Sequence, residues 1–138
     1  MPVSGLLRYA LIADALATAG TALMMIGFGG DLSAWLGISA VFQRNIGLVL
    51  LPYAAAVGYL GARSHVAPSA VWTVIIGNVL WAMASIAVLF TGWLQPTALG
   101  VGFVIAQALI VAALAEFQWF GMRRSSGLSI GEPAISRG

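Results

Sequence analysis

The sequence predicts an all-α polytopic membrane protein. Four transmembrane helices form an up-down bundle, with a short interfacial helix between the first and second. Three observations carry this reading. Of 138 residues, 61% are hydrophobic and 7% charged, whereas soluble domains carry about 25% charged residues. Four apolar stretches reach or approach the roughly 17–25 residues that span a bilayer. Proline, glycine and polar residues separate them. A chain this poor in charge cannot clothe itself in a hydrated surface, so lipid is its solvent.

The first span covers residues 6–28 and stops at Gly29-Gly30. It is longer than the roughly 7–15 apolar residues of a signal-peptide core, and is read as a retained helix. Residues 31–44, DLSAWLGISAVFQR, follow. Asp31 suits an N-cap, because its carboxylate can accept from the free amides of a first turn. Leu32, Trp35 and Leu36 share roughly one helical face, which predicts a short helix lying in the interface with Trp35 at headgroup depth. The second span, 45–61, contains Pro52, a kink that neighbouring helices can accommodate. The third, 70–90, follows the breaker Pro68. The fourth, 98–122, follows Pro96. Trp35, Trp93 and Trp119 fall near helix ends, and the three tyrosines are assigned with them to interfacial belts. Residues 1–124 thus form the membrane domain. Residues 125–138 are a Ser- and Gly-rich polar tail, expected to lack structure alone, whose Leu128, Ile130, Pro133 and Ile135 offer apolar contacts to a partner.

Charge sets orientation. Lys is absent, and the six cations are arginines in a chain of net charge +2. Arg8, Arg63, Arg123, Arg124 and Arg137 fall on one side of a four-span topology, at lipid-headgroup level, and Arg44 on the other. Positive residues remain cytoplasmic, so both termini are expected in the cytoplasm. The pI of about 9.7 rests on so few charges that it marks membrane orientation, and nucleic acid is not an expected partner. Cysteine is absent, which excludes disulfides, thiolate metal sites and cysteine nucleophiles. His65, the lone histidine, lies in the polar loop SHVAP and reads as a solvated residue. No HExxH, GxSxG or P-loop pattern occurs, so no enzyme, metal site or cofactor is expected; a bound lipid or other lipophile is compatible with the composition.

Polar residues within the spans carry the functional candidates. In YALIADALATAG, residues 9–20, Asp14 lies eight residues after Leu6, about 12 Å along the helix. Asn78 lies at a matching depth in the third span. Glu116 lies about 9 Å from the end of the fourth. The expectation is a polar layer of Asp14, Asn78 and Glu116, with Trp81 beside it. Intramembrane acids are functional-site hypotheses by default. The alternative is that Asp14 is bonded to Asn78, Thr18 or backbone, with Glu116 reaching to Arg123 or Arg8. Thr18 and Thr21 continue the Asp14 stripe, and Ser85 continues that of Asn78 and Trp81. On the fourth span Gln107 and Gln118 share one face and Glu116 lies nearly opposite. These polar groups are helix-packing candidates, and a two-faced fourth helix points to a homo- or hetero-oligomer.

GNVLWAMAS, residues 77–85, and AEFQWFGMRR, residues 115–124, give the chain a pattern that resembles uncharacterised small four-span bacterial membrane proteins. That resemblance implies the bacterial inner membrane and brings no activity. The chain is also similar to small multidrug resistance transporters, which have four spans and an acid in the first. Asp14 stands where that family carries Glu. The loops and tail are longer here, and the arginine bias predicts one orientation where that family's best-known members insert in both.

Three functions follow in order. The first is a non-catalytic accessory or assembly subunit of a larger membrane complex. The second is a small proton-coupled transporter with Asp14 as coupling acid, Asn78 and Trp81 lining the site, and Glu116 as relay. The third is a binder of lipid, quinone or pigment near Trp81.

Overall fold

A computed structural model describes residues 1–92 and 94–130. Its helices, in order, are α1 (Gly5–Gly27), α2 (Gly29–Leu36), α3 (Ala40–Ala62), α4 (Pro68–Val88) and α5 (Ala98–Ile130). α1, α3, α4 and α5 are long and apolar enough to cross a membrane. The chain is a small multi-pass membrane protein, and the short α2 lies between the first two spans as expected.

The helix ends differ from the sequence expectation where polar residues continue a helix. α3 begins at Ala40 rather than at residue 45. Gln43 and Arg44 read as a break by hydropathy, yet a helix end near the interface tolerates polar side chains. Gln43 also turns its amide back to the Ile38 carbonyl, at 2.9 Å. α4 starts at Pro68, whose fixed φ suits a first helical position. α5 runs on through 123–130, six residues into the segment set apart as a tail. Residues 131–138, including Arg137, lie outside the described residues, as does Trp93.

α2 also departs from expectation at its start. Asp31 is not the cap but a residue of the first turn, because Gly29 and Gly30 are already helical and Phe28 precedes them. Its carboxylate still meets the positive end of the helix dipole. Trp35 is exposed while Leu36 is buried, so the two do not share a face. Gly37 ends the helix with φ 70°, a left-handed conformation that favours glycine. Thr97 then fastens this end to the start of α5, its amide donating to the Leu36 carbonyl at 2.9 Å and its hydroxyl to the Trp35 carbonyl at 2.7 Å.

α1 packs closely against α3, and α5 against both α1 and α4, while α3 and α4 touch only lightly and the diagonal pairs, α1 with α4 and α3 with α5, stand apart. Small residues set these distances. Gly47, Ala54, Gly58 and Gly61 line the side of α3 that meets Ile12, Ala15 and Ala22 of α1. Gly121 of α5 is pressed on α1, where a Cβ would lie 2.6 Å from the Leu7 backbone. Close backbone approach of this kind replaces the hydrophobic drive that lipid removes.

The N-terminal segment ties one end of the bundle together. Val3 donates to the Ser64 carbonyl at 2.9 Å, and Val66 donates back to that of Met1 at 3.0 Å. The Ser4 amide donates to the Ser125 hydroxyl at 2.9 Å, and the Ser4 hydroxyl to the Gly121 carbonyl at 3.0 Å. The start of α1 and the last turns of α5 therefore share an end, and it is the end that carries Arg8, Arg63, Arg123 and Arg124. Arg44 lies near the opposite end, at the start of α3.

Side chains are distributed as a membrane requires. Asp14, Gln43, Gln118 and Ser125 are among the largest fully buried side chains, whereas Leu16, Val49, Met83, Phe90 and Leu109 face outward.

Two glycine substitutions on α5 test this packing. Gly121→Ala is expected to lower stability in detergent by about 1–3 kcal/mol, because the α1 backbone must move. Gly102→Ala meets open space and should be neutral or stabilising by up to about 1 kcal/mol. Thermal unfolding of the two variants side by side checks the contrast.

Candidate functional site

The inward faces of α1, α3, α4 and α5 meet in one hydrogen-bonded cluster. At its centre is Asp14, 1% exposed. One carboxylate oxygen accepts from Thr18 Oγ1 at 3.1 Å. The other accepts from Asn78 Nδ2 at 2.8 Å and Gln118 Nε2 at 2.7 Å. Asn78 Nδ2 donates a second bond, to Gln118 Oε1 at 3.0 Å, so Asp14, Asn78 and Gln118 close a triangle. The Tyr53 hydroxyl donates to Asn78 Oδ1 at 2.8 Å. Every group around the carboxylate donates to it. Asp14 fixes the Asn78 amide, because a carboxylate only accepts: the nitrogen faces Asp14 and Gln118, which leaves the oxygen for the Tyr53 hydroxyl.

The helices place these groups by simple register. Asp14 and Thr18 are four apart and stand one above the other on α1. Asn78 is four residues past Val74, a core residue on the same face of α4. Gln118 is three past Ala115, which belongs to the same buried core cluster as Leu7 and Leu11. Tyr53 comes from near the middle of α3 and reaches across to α4, the most loosely packed of the neighbouring pairs of spans.

The expected layer of Asp14, Asn78 and Glu116 is thus built with a different third member. Gln118 replaces Glu116, which is exposed on the outer surface. The cause is helical phase: two residues on a helix turn the side chain by about 200°. Glu116 does not reach Arg123 or Arg8. The Arg123 guanidinium lies over the Trp119 ring, 4.9 Å from its centroid, and Arg8 donates to the Arg63 carbonyl at 3.3 Å. Among the described residues Glu116 has no hydrogen bond and no ion pair.

The other candidates separate into two kinds. Trp81 Nε1 donates to Gln107 Oε1 at 2.9 Å, a second polar link between α4 and α5. Thr21 and Ser85 instead bond carbonyls of their own helices, those of Ala17 at 2.8 Å and Trp81 at 2.7 Å. Arg63 donates to the Tyr59 hydroxyl and to the His65 carbonyl, at the exposed end.

Sequence reasoning missed Tyr53, Ser4, Ser125 and Gln43. A tyrosine placed mid-span rather than at an end is a signal for Tyr53, since a phenol in hydrocarbon needs a partner. Nothing local marks Ser4 or Ser125, whose bond joins residues at opposite ends of the described chain. Gln43 is 1% exposed, and its Oε1 has no partner among the described residues.

Among the described residues, no three His, Asp or Glu side chains gather in a way that would hold a metal. The chain matches no protein-family model, no curated protein and no solved structure.

Chemically, the cluster is a closed clamp. Bonds of this kind between membrane helices are worth about 0.6 kcal/mol on average and up to about 1.7. Asp14 accepts three. Asp14→Ala is therefore expected to cost about 2 kcal/mol, with part of the loss from donors left unmet. A double-mutant cycle of Asp14→Ala with Gln118→Ala should give a coupling near 1 kcal/mol. Simple additivity in detergent unfolding would count against the clamp.

Proposed function

We propose that this protein is a non-catalytic accessory or assembly subunit of a larger complex in the bacterial inner membrane, with both termini cytoplasmic. One observation carries the reading. Both carboxylate oxygens of the interior acid, Asp14, accept hydrogen bonds, while the other membrane-depth acid, Glu116, is exposed and has no partner among the described residues. A charged side chain on a lipid-facing surface is expensive, and such residues normally pair or face a protein interior. A protein whose fold is held by Asp14 and whose Glu116 faces outward reads as one part of an assembly.

The arginine distribution supports the orientation, since four of the described arginines gather at one end and Arg44 lies near the other. Proton-coupled transport on Asp14 fits less well. Water or a proton would have to reach a carboxylate that is 1% exposed and held by donors from three helices. Binding of a lipophile near Trp81 also fits less well, because the indole N–H is already committed to Gln107.

Native mass spectrometry after gentle solubilisation of the untagged protein tests the proposal. The expected result is a stoichiometric mass containing other membrane proteins. A monomer or homodimer as the only species would overturn it, and attention would move to transport.

A further inference from the structure

The outer surface between α4 and α5 holds a groove of about 360 Å³. Ala82, Ala112 and Ala115 form its floor, and Val79, Met83 and Trp119 its rim, with Glu116 between them. We propose that this groove receives a transmembrane helix of another protein, one that carries a basic side chain level with Glu116. The proposal rests on the subunit reading and names the surface and chemistry of the contact.

The spacing of the residues along the groove fits a helix as occupant. Leu109, Ala112, Glu116, Trp119 and Arg123 alternate steps of three and four along α5, and Val79, Ala82 and Ile86 do the same along α4, starting from the buried Ile75. That is the spacing of a seam between packed helices. The α5 stripe runs about 21 Å, far longer than a small molecule needs. The alanine floor lets a third backbone come close.

Charge fixes the chemistry of the occupant. Glu116 lies about 10 Å along α5 from Arg123. Side chains on a helix lean toward its N-terminus, and the N-terminus of α5 is at the end away from the arginines. Glu116 therefore leans toward the membrane centre and not toward the headgroups at the near end. Lipid chains offer it nothing. Nor does a second copy in the same orientation, because the described cations lie at the ends of the bundle, with Arg8, Arg63, Arg123 and Arg124 at one and Arg44 near the other. The donor must come from a different chain. Trp119 completes the site: its ring already accepts the Arg123 guanidinium, and it covers the turn that carries Glu116.

The test uses the full chain in lipid nanodiscs, labelled at Ala62→Cys, a single site because the chain has no other cysteine. The probes are synthetic Leu/Ala helices of about 24 residues, one with Lys level with Glu116 and one with Leu there. Energy transfer reads the affinity. The Lys helix is expected to bind about tenfold more tightly than the Leu helix, and Glu116→Gln should abolish that difference. Ala112→Leu, which fills the floor, should weaken both. Equal affinities for the two probes would overturn the site, as would a preference that survives Glu116→Gln. Glu116-dependent self-association of two differently labelled copies would also overturn it. So would Glu116-dependent binding of dodecylamine as tight as that of the Lys helix, since a small cation would then suffice. The two proposals fail separately. A heteromeric mass with equal probe affinities removes the groove and leaves the subunit reading. A homomeric mass with a Glu116-dependent preference does the reverse.

Discussion

A carboxylate buried in hydrocarbon is stable only if fixed dipoles take the place of water. In this protein that constraint falls on Asp14, and the arrangement of the bundle answers it. Thr18 comes from the same helix, Asn78 from α4 and Gln118 from α5. Tyr53 supports the arrangement from α3 through Asn78. Each of the four spans contributes one polar side chain or more, so a shift of any one of them leaves an unmet donor or acceptor in the interior. Apolar packing alone would not do this, because the lipid outside is as apolar as leucine. The cluster selects one mutual arrangement of helices from the several that their apolar surfaces would allow.

Packing then brings the helices near enough for those bonds to form. The small-residue face of α3 lets α1 approach, and Gly121 lets α5 approach the start of α1. The Ser4–Ser125 bond and the short pairing of the N-terminal segment with the α3–α4 loop close the arginine-rich end. Thr97 closes the other by holding α2 against α5. The polar centre lies between two fastened ends, which accounts for an interior acid almost wholly shielded from outside.

The same helix that completes the clamp carries its opposite. Gln118 faces inward and is hydrogen-bonded, while Glu116, two residues earlier, faces outward and has no partner among the described residues. α5 also carries Trp119 and Arg123 on the outward side, and its seam continues onto α4. An inner face that is bonded into the cluster and an outer face that carries an exposed acid are distinct parts of one helix. A substitution at one is therefore separable from a substitution at the other.

Much of this was legible in the residues. Composition decided the solvent, apolar run lengths decided the number of spans, and the arginines marked which ends lie together. Asp14 stood out as a carboxylate in an apolar helix, and depth and register offered Asn78 and Thr18 as its partners in one of two readings. The opposition of Gln118 and Glu116 also followed from helical phase. Which of the two faces the interior did not, because phase gives angles between residues on one helix and not the direction of its neighbours. Tyr53 entered the cluster only because α3 stands beside α4 at that level. Ser4 met Ser125 only because the first and last described spans pack together. The sequence by itself determined what each helix is and how its faces are divided. Only the tertiary structure decided which faces meet, since that depends on how closely backbones approach and on contacts between residues far apart in the chain.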